Sequence, residues 1–153
     1  MNKKRIAVLC VALFILAFAG AGFASTKFVT IVTGSTGGTY YPIGTILANH
    51  FNTALMEKGY KWSAQSSGGT VENLDMMQRG EAEMAIAMAN ITGFAYTGTQ
   101  TYEGKKIENL RYVMGLWPDV TQFVVSGSSG IKTWADLKGK KVAVGPAASG
   151  TEF

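Results

Sequence analysis

Three runs combine glycine with small hydroxyl residues: Ser35-Thr36-Gly37-Gly38-Thr39, Ser66-Ser67-Gly68-Gly69-Thr70 and Ser149-Gly150-Thr151. Each stands where a helix is expected to begin. Free N–H groups at a helix start attract anions, and glycine lets a ligand come close to the backbone. Hydroxyls add orientation without charge, so such a cradle suits a carboxylate. It does not suit a nucleotide. The phosphate-loop pattern needs a lysine after its second glycine, and no lysine lies between Lys27 and Lys58. The dinucleotide fingerprint fails too, because Gly34 is followed by Ser35-Thr36-Gly37-Gly38. Ordinary caps and turns use the same residues, so any one run reads as structure first. Convergence of all three on one sheet edge is what favours a site.

Catalytic equipment is sparse. His50 sits beside Leu47 and Phe51 in a helical pattern, with no partner in view, and reads as a surface or partly buried histidine. Glu81 and Glu83 flank a turn and read as solvated charges. No nucleophile elbow occurs, and Ser149-Gly150-Thr151 has no base near it in sequence. One histidine and one cysteine point away from a transition-metal site, and no cofactor is implied.

The elements that must position the three runs follow from periodicity. Phe28–Thr33 alternates and is β-rich, a strand. From Pro42, apolar residues recur at helical spacing to Leu55, and Gly59 ends the helix. Tyr60–Gln65 reads as a second strand. Thr70 reads as the cap of a second helix with Val71, Leu74 and Met77 on one face, closed by Arg79-Gly80. Glu83–Ala89 reads as a buried strand and Asn90–Thr97 as a short helix or turn. The order β-α-β-α-β predicts an α/β fold with a parallel sheet, whose ligands bind at the carboxyl edge of the strands. Loops 34–41, 66–70 and 88–92 fall there. Tyr40 and Tyr41 would wall a pocket or pack in the core; the sequence leaves both open. Beyond Gly98, residues 99–109 read as a surface connection. Leu110–Leu116, Gln122–Ser126 and Lys141–Gly145 read as strands, with a short helix over Thr133–Lys138. The last residues, VAVGPAASGTEF, read as a strand, a turn and a helix start with no helix after it, so the chain is expected to be incomplete.

The N-terminus bears on compartment. Lys3, Lys4 and Arg5 precede an uncharged apolar run, and Gly22-Phe23-Ala24 supplies small residues for cleavage after Ala24. This is the pattern of a secretory signal peptide rather than a transmembrane anchor, and Cys10 lies within the apolar run, where it does not mark a lipoprotein. Residues 1–24 hold three of the fourteen basic residues and none of the ten acidic ones, so their removal lowers the net charge from +4 to +1. That balance makes no case for nucleic acid. The sole cysteine leaves as well, so the mature chain forms no disulfide and relies on an apolar core.

The segment Gly37-Gly38-Thr39-Tyr40-Tyr41-Pro42-Ile43-Gly44 resembles the signature of TAXI-type solute receptors of TRAP transporters. The likeness continues through Ser67-Gly68-Gly69-Thr70-Val71-Glu72-Asn73-Leu74 and Arg79-Gly80-Glu81-Ala82-Glu83. It resumes over residues 129–140 and ends at Ser149-Gly150-Thr151-Glu152. The resemblance implies a periplasmic binding protein of type II, with two α/β lobes and a cleft between them. It implies capture of a small organic anion, glutamate-like or dicarboxylate, and delivery to membrane permease subunits. On this reading residues 25–117 form the first lobe, and 118–153 form the crossover and the start of a second. Gly37, Gly38, Thr39, Tyr40, Tyr41, Ser67, Gly68, Gly69, Thr70, Asn90, Ser149, Gly150 and Thr151 are the expected ligand-binding residues. The rivals are a receptor for an ABC importer, a secreted enzyme on the same fold, and a truncated chain without a binding function.

One departure stands out. Met88-Ala89-Asn90 replaces the Gln-Ser-Asp of many family members. If that loop faces the ligand, the change favours a less polar solute or one lacking an amino group.

Overall fold

The computed structural model describes residues 25–153; the signal-peptide reading of 1–24 lies outside the described residues. Three parallel strands form the sheet in the order β2-β1-β3: β1 (Lys27–Val32), β2 (Tyr60–Gln65) and β3 (Met84–Ala85). β1 is central, pairing with β2 over its whole length and with β3 at Ile31 and Val32. Helices α1 (Tyr40–Leu55), α2 (Thr70–Gln78) and α3 (Ala89–Thr97) complete a mixed α/β architecture compatible with a periplasmic-binding-protein-like fold.

Alternation along β1 sends neighbouring residues to opposite faces. Ile31 packs with Ala48 of α1 and Ile86, while Val32 packs with Met76 of α2 and Ala82. Both faces of the central strand are therefore covered, as the run of β-branched residues requires. A third cluster joins Leu74 to Ile91 and Ala95 of α3. Helix α1 passes into a 3-10 turn at Met56–Lys58, and Gly59 ends it in the left-handed region at φ 76°. β2 is an edge strand. Asn52 of α1 covers part of that edge, its side-chain amide donating to the Trp62 carbonyl at 2.9 Å and accepting from the Trp62 N–H at 2.7 Å.

Several expectations are corrected. The strand expected over Glu83–Ala89 is only two residues long. Its continuation is taken over by side chains: Asn73 donates to the Ile86 carbonyl, and the Met88 N–H donates to the Thr70 hydroxyl. Glu83 is not merely a solvated turn charge, since its carboxylate accepts from the Thr30 N–H at 2.7 Å, below the point where β3 pairs with β1. Residues 99–109 are not simply a surface connection either. Tyr102 and Ile107, with the following Leu110, are buried against Leu74 and Ile91.

The three later strands do not form among the described residues. Val124 is 88% exposed, and Val113 and Val142 are also exposed. A strand needs a neighbouring backbone to satisfy its N–H and C=O groups, and no such pairing is made here. The short helix does form, as a 3-10 turn over Trp134–Leu137. Its start is tied by Asp136, whose carboxylate accepts from the N–H groups of Lys132 and Thr133 and from the Thr133 hydroxyl. These bonds hold the Asp136 carboxyl below the ordinary carboxylate range.

Candidate functional site

The carboxyl ends of the three strands are tied at one buried side chain. Asn73 is 0% exposed, and its amide nitrogen donates to the Thr33 carbonyl at 2.6 Å and the Ile86 carbonyl at 2.8 Å. Its amide oxygen accepts from the Ser67 hydroxyl at 2.6 Å. Residues just beyond β1, β2 and β3 thus share one fully satisfied side chain, which fixes the loops relative to each other.

Around that knot lies a small open cavity of about 160 Å³. Gly38, Thr39 and Tyr40 border it from the first loop, and Gly68, Gly69 and Thr70 from the second. Ser149, Gly150 and Thr151 border it from the third. The three glycine-hydroxyl runs do meet at one place. Gly37, Tyr41, Ser67 and Asn90 are not among the residues lining it. Gly37 is exposed, Tyr41 is half-buried at the start of α1, and Ser67 is engaged with Asn73. Asn90 is exposed on the first turn of α3.

The close approach of the second and third runs depends on glycine. Gly69, at φ 127° and ψ −150°, precedes α2 in a conformation that side chains disfavour, and a Cβ there would lie 3.2 Å from the Ser149 Cα. A Cβ on Gly150 would run into the Met88 Sδ. Thr70 is the first residue of α2 rather than its cap, and Gly69 holds the cap position. Its hydroxyl instead accepts from the Met88 N–H at 3.1 Å, joining the second loop to the third strand's end.

Free helix N–H groups were expected behind all three runs, but no helix follows the third among the described residues, and the start of α2 is already occupied. At α2, the Gly68 N–H donates to the Glu72 carboxylate at 2.6 Å and the Gly69 N–H to the Ser67 hydroxyl at 3.1 Å. The N–H groups of Val71 and Glu72 both donate to the Ala148 carbonyl, at 3.1 and 3.4 Å. Ala148 makes these contacts from the left-handed region, at φ 61°. At the third run, Glu152 N–H donates to the Ser149 hydroxyl and the Glu152 carboxylate accepts from the Ala148 N–H. Helix α1 differs. Thr39 makes no capping bond, no acidic residue lies in the first turn, and Pro42 has no N–H. Its positive end faces the cavity with no cap and no acid from its own first turn.

One wall residue, Asp119, and the residue that anchors it, Trp117, were not expected at the site. Asp119 borders the cavity from the far segment, and Trp117 anchors that segment. The Trp117 ring meets Tyr40 edge-on at 5.8 Å and packs with the cluster of Ile31 and Ile86. Tyr40 is both pocket wall and core. Burial pushes its phenol above the ordinary value; the Thr70 hydroxyl beside it pulls back, and the Asp119 carboxylate raises it further. The only sequence signal for these residues was an aromatic and a proline, Trp117-Pro118, interrupting two β-rich runs. Asn73 was visible only as a polar residue in an apolar helix pattern.

A protein-family model described as the NMT1-like family matches residues 31–153. The chain belongs to the NMT1-like family. This is a family of periplasmic-binding-protein-like, solute-binding proteins, which implies a small-molecule ligand and a membrane transporter as partners. All three runs and Asp119 fall within the matched residues.

A second, larger cavity of about 540 Å³ lies among residues 122–126, 131–137 and 140–144. It is bordered by Lys132, Lys140 and Lys141, and by Trp134, whose ring meets Phe123 edge-on at 4.5 Å. Apart from the turn at Trp134–Leu137, its walls are chain without helix or strand. His50 is exposed on α1, away from both cavities' linings. Among the described residues no group of three or more histidine, cysteine or acidic residues is placed to hold a metal.

Proposed function

We propose that this chain builds one wall of the ligand cleft in an extracytoplasmic receptor of the TAXI type, serving a TRAP transporter. It captures a small organic anion, glutamate-like or dicarboxylate, and presents it to membrane permease subunits. Residues 25–117 act as the first lobe and 118–153 as the crossover towards a second, with hinge closure over the ligand. The signal peptide directs the protein to the periplasm, and no catalytic step is assigned to it. The observation that carries this reading is the uncapped, acid-free start of α1 beside a cavity rimmed by Thr39, Thr70 and Ser149. The order of family-like motifs along the chain supports the TRAP assignment. An ABC-importer receptor is the rival, distinguished by uptake that follows ATP rather than an ion gradient.

The test is Thr39→Glu in the full-length protein. An acidic residue at a helix start stabilises the helix by about 0.3–1 kcal/mol but repels a bound anion. Calorimetry against a panel of small carboxylates should show binding by the parent and at least tenfold weaker binding by the variant, with thermal stability unchanged or raised. Equal binding by the two proteins would refute a ligand anion at α1.

A further inference from the structure

We propose that Met88 is an oxidation-sensitive latch: its conversion to the sulfoxide releases the turn at residues 146–150 from the start of α2 and frees the far segment from the sheet edge. The inference holds whatever solute the cavity takes. The turn has a narrow hold. Among the described residues, its only hydrogen bonds to residues 25–110 run from the Val71 and Glu72 N–H groups to the Ala148 carbonyl. Ala148 accepts them from the left-handed region, at φ 61°, which residues with a side chain disfavour. The remaining attachment is packing: Gly68 against Ala147, Gly69 against Ser149, and Gly150 against the Met88 thioether and Thr70.

Met88 can be reached by an oxidant and is placed to act on the turn. It is half-buried, borders the open cavity and packs with the cluster of Leu74 and Ile91. Gly150 comes so close that even a methyl group there would collide with the sulfur. Hydrogen peroxide gives one oxygen to the thioether: the O–O bond breaks, an S–O bond forms and the other oxygen leaves as water. The sulfur is oxidised by one electron pair, which reduces the peroxide. An oxygen carried on that sulfur needs room and hydration, and the docked turn supplies neither. Met56 and Met114 are exposed and belong to none of the buried clusters, so their oxidation reports the peroxide dose without loosening a packed contact. A methionine sulfoxide reductase returns the thioether, and with it the latch.

The test treats the full-length protein with hydrogen peroxide, follows each methionine by peptide mass mapping, and reads hydrogen exchange at the Val71 and Glu72 amides by NMR. Exchange at both should quicken about fivefold or more, the range of an overpacked contact, while β1 stays slow. The change should follow oxidation of Met88 in time, not that of Met56 or Met114, and reductase treatment should reverse it. Met88→Leu keeps the apolar volume without the sulfur, and its exchange should be the same before and after peroxide. Three results overturn the inference. Met88 stays unoxidised once Met56 is converted; its sulfoxide leaves Val71 and Glu72 exchange unchanged; or peroxide speeds exchange in Met88→Leu as much as in the parent.

Discussion

Residues 25–110 and 111–153 have similar β-rich and apolar stretches but opposite fates. In the first region each apolar stretch finds a partner: β1 is paired on both sides, and Ile31, Leu74 and Ile91 are almost wholly buried. In the second, Tyr112, Val120, Phe123 and Val144 remain exposed, and no strand forms. The exceptions are instructive. Trp117 and residues 146–150 are ordered against the sheet edge because each meets something already built there: Tyr40 for the first, the start of α2 for the second. Strand propensity describes fitness for a half-buried, paired surface, and it is not realised without that surface.

The largest expected effect lies in the first region. Asn73→Asp keeps the shape but turns a double donor into an acceptor facing the Thr33 and Ile86 carbonyls. Leaving these buried groups unpaired costs about 1–3 kcal/mol for each one, before the buried charge is counted. Urea unfolding followed by tryptophan fluorescence should show a stability loss of about 3 kcal/mol or more, on that scale. A midpoint equal to the parent's would mean that the three strand ends are held without Asn73.

A smaller effect is expected where the two regions touch. Gly150→Val drives a side chain into Met88, and overpacking of this kind costs about 1–3 kcal/mol. Residues 146–150 should lift away, releasing the Val71 and Glu72 amides from the Ala148 carbonyl. Hydrogen exchange at those two amides should speed up while exchange in β1 stays slow. Unchanged exchange at Val71 and Glu72 would show that the contact does not depend on glycine.

The smallest effect belongs to the second region alone. The Asp136 carboxyl is held below its ordinary value by the Lys132 and Thr133 N–H groups and the Thr133 hydroxyl. A carboxyl lowered in this way lends its cap above the unfolded-state value and loses it as pH falls through the lowered one. The Lys132 and Thr133 amide resonances should therefore move only on acidification below the ordinary carboxylate range, and not at all in Asp136→Asn. Movement at the ordinary carboxylate value would remove the cap.

Much of the first region was legible because its signals are local. Tyr60–Gln65 is bounded by Gly59 and a serine-glycine loop, and α1 by its helical spacing and Gly59. The meeting of the three glycine-hydroxyl runs followed from strand order, since parallel strands bring their carboxyl ends to one edge. Three features were not legible, and each depends on a distant partner. The Ala148 carbonyl at α2 joins residues 76 or more positions apart, Asn73 works through strand ends on both sides of it, and Asp119 enters the cavity only because Trp117 packs on Tyr40. The shortened β3 has the same origin, since side chains of Asn73 and Thr70 replaced the ladder that its apolar run promised.

The most direct test of a ligand site at the sheet edge is amide-shift mapping of the ¹⁵N-labelled full-length protein, titrated with the tightest carboxylate from the calorimetric panel. The expected result is saturable shifts at Thr39, Tyr40, Tyr41 and Gly150, with residues 122–144 unmoved. Shifts centred on Lys132, Lys140 and Lys141 around the larger cavity, with Thr39 to Tyr41 silent, would contradict it.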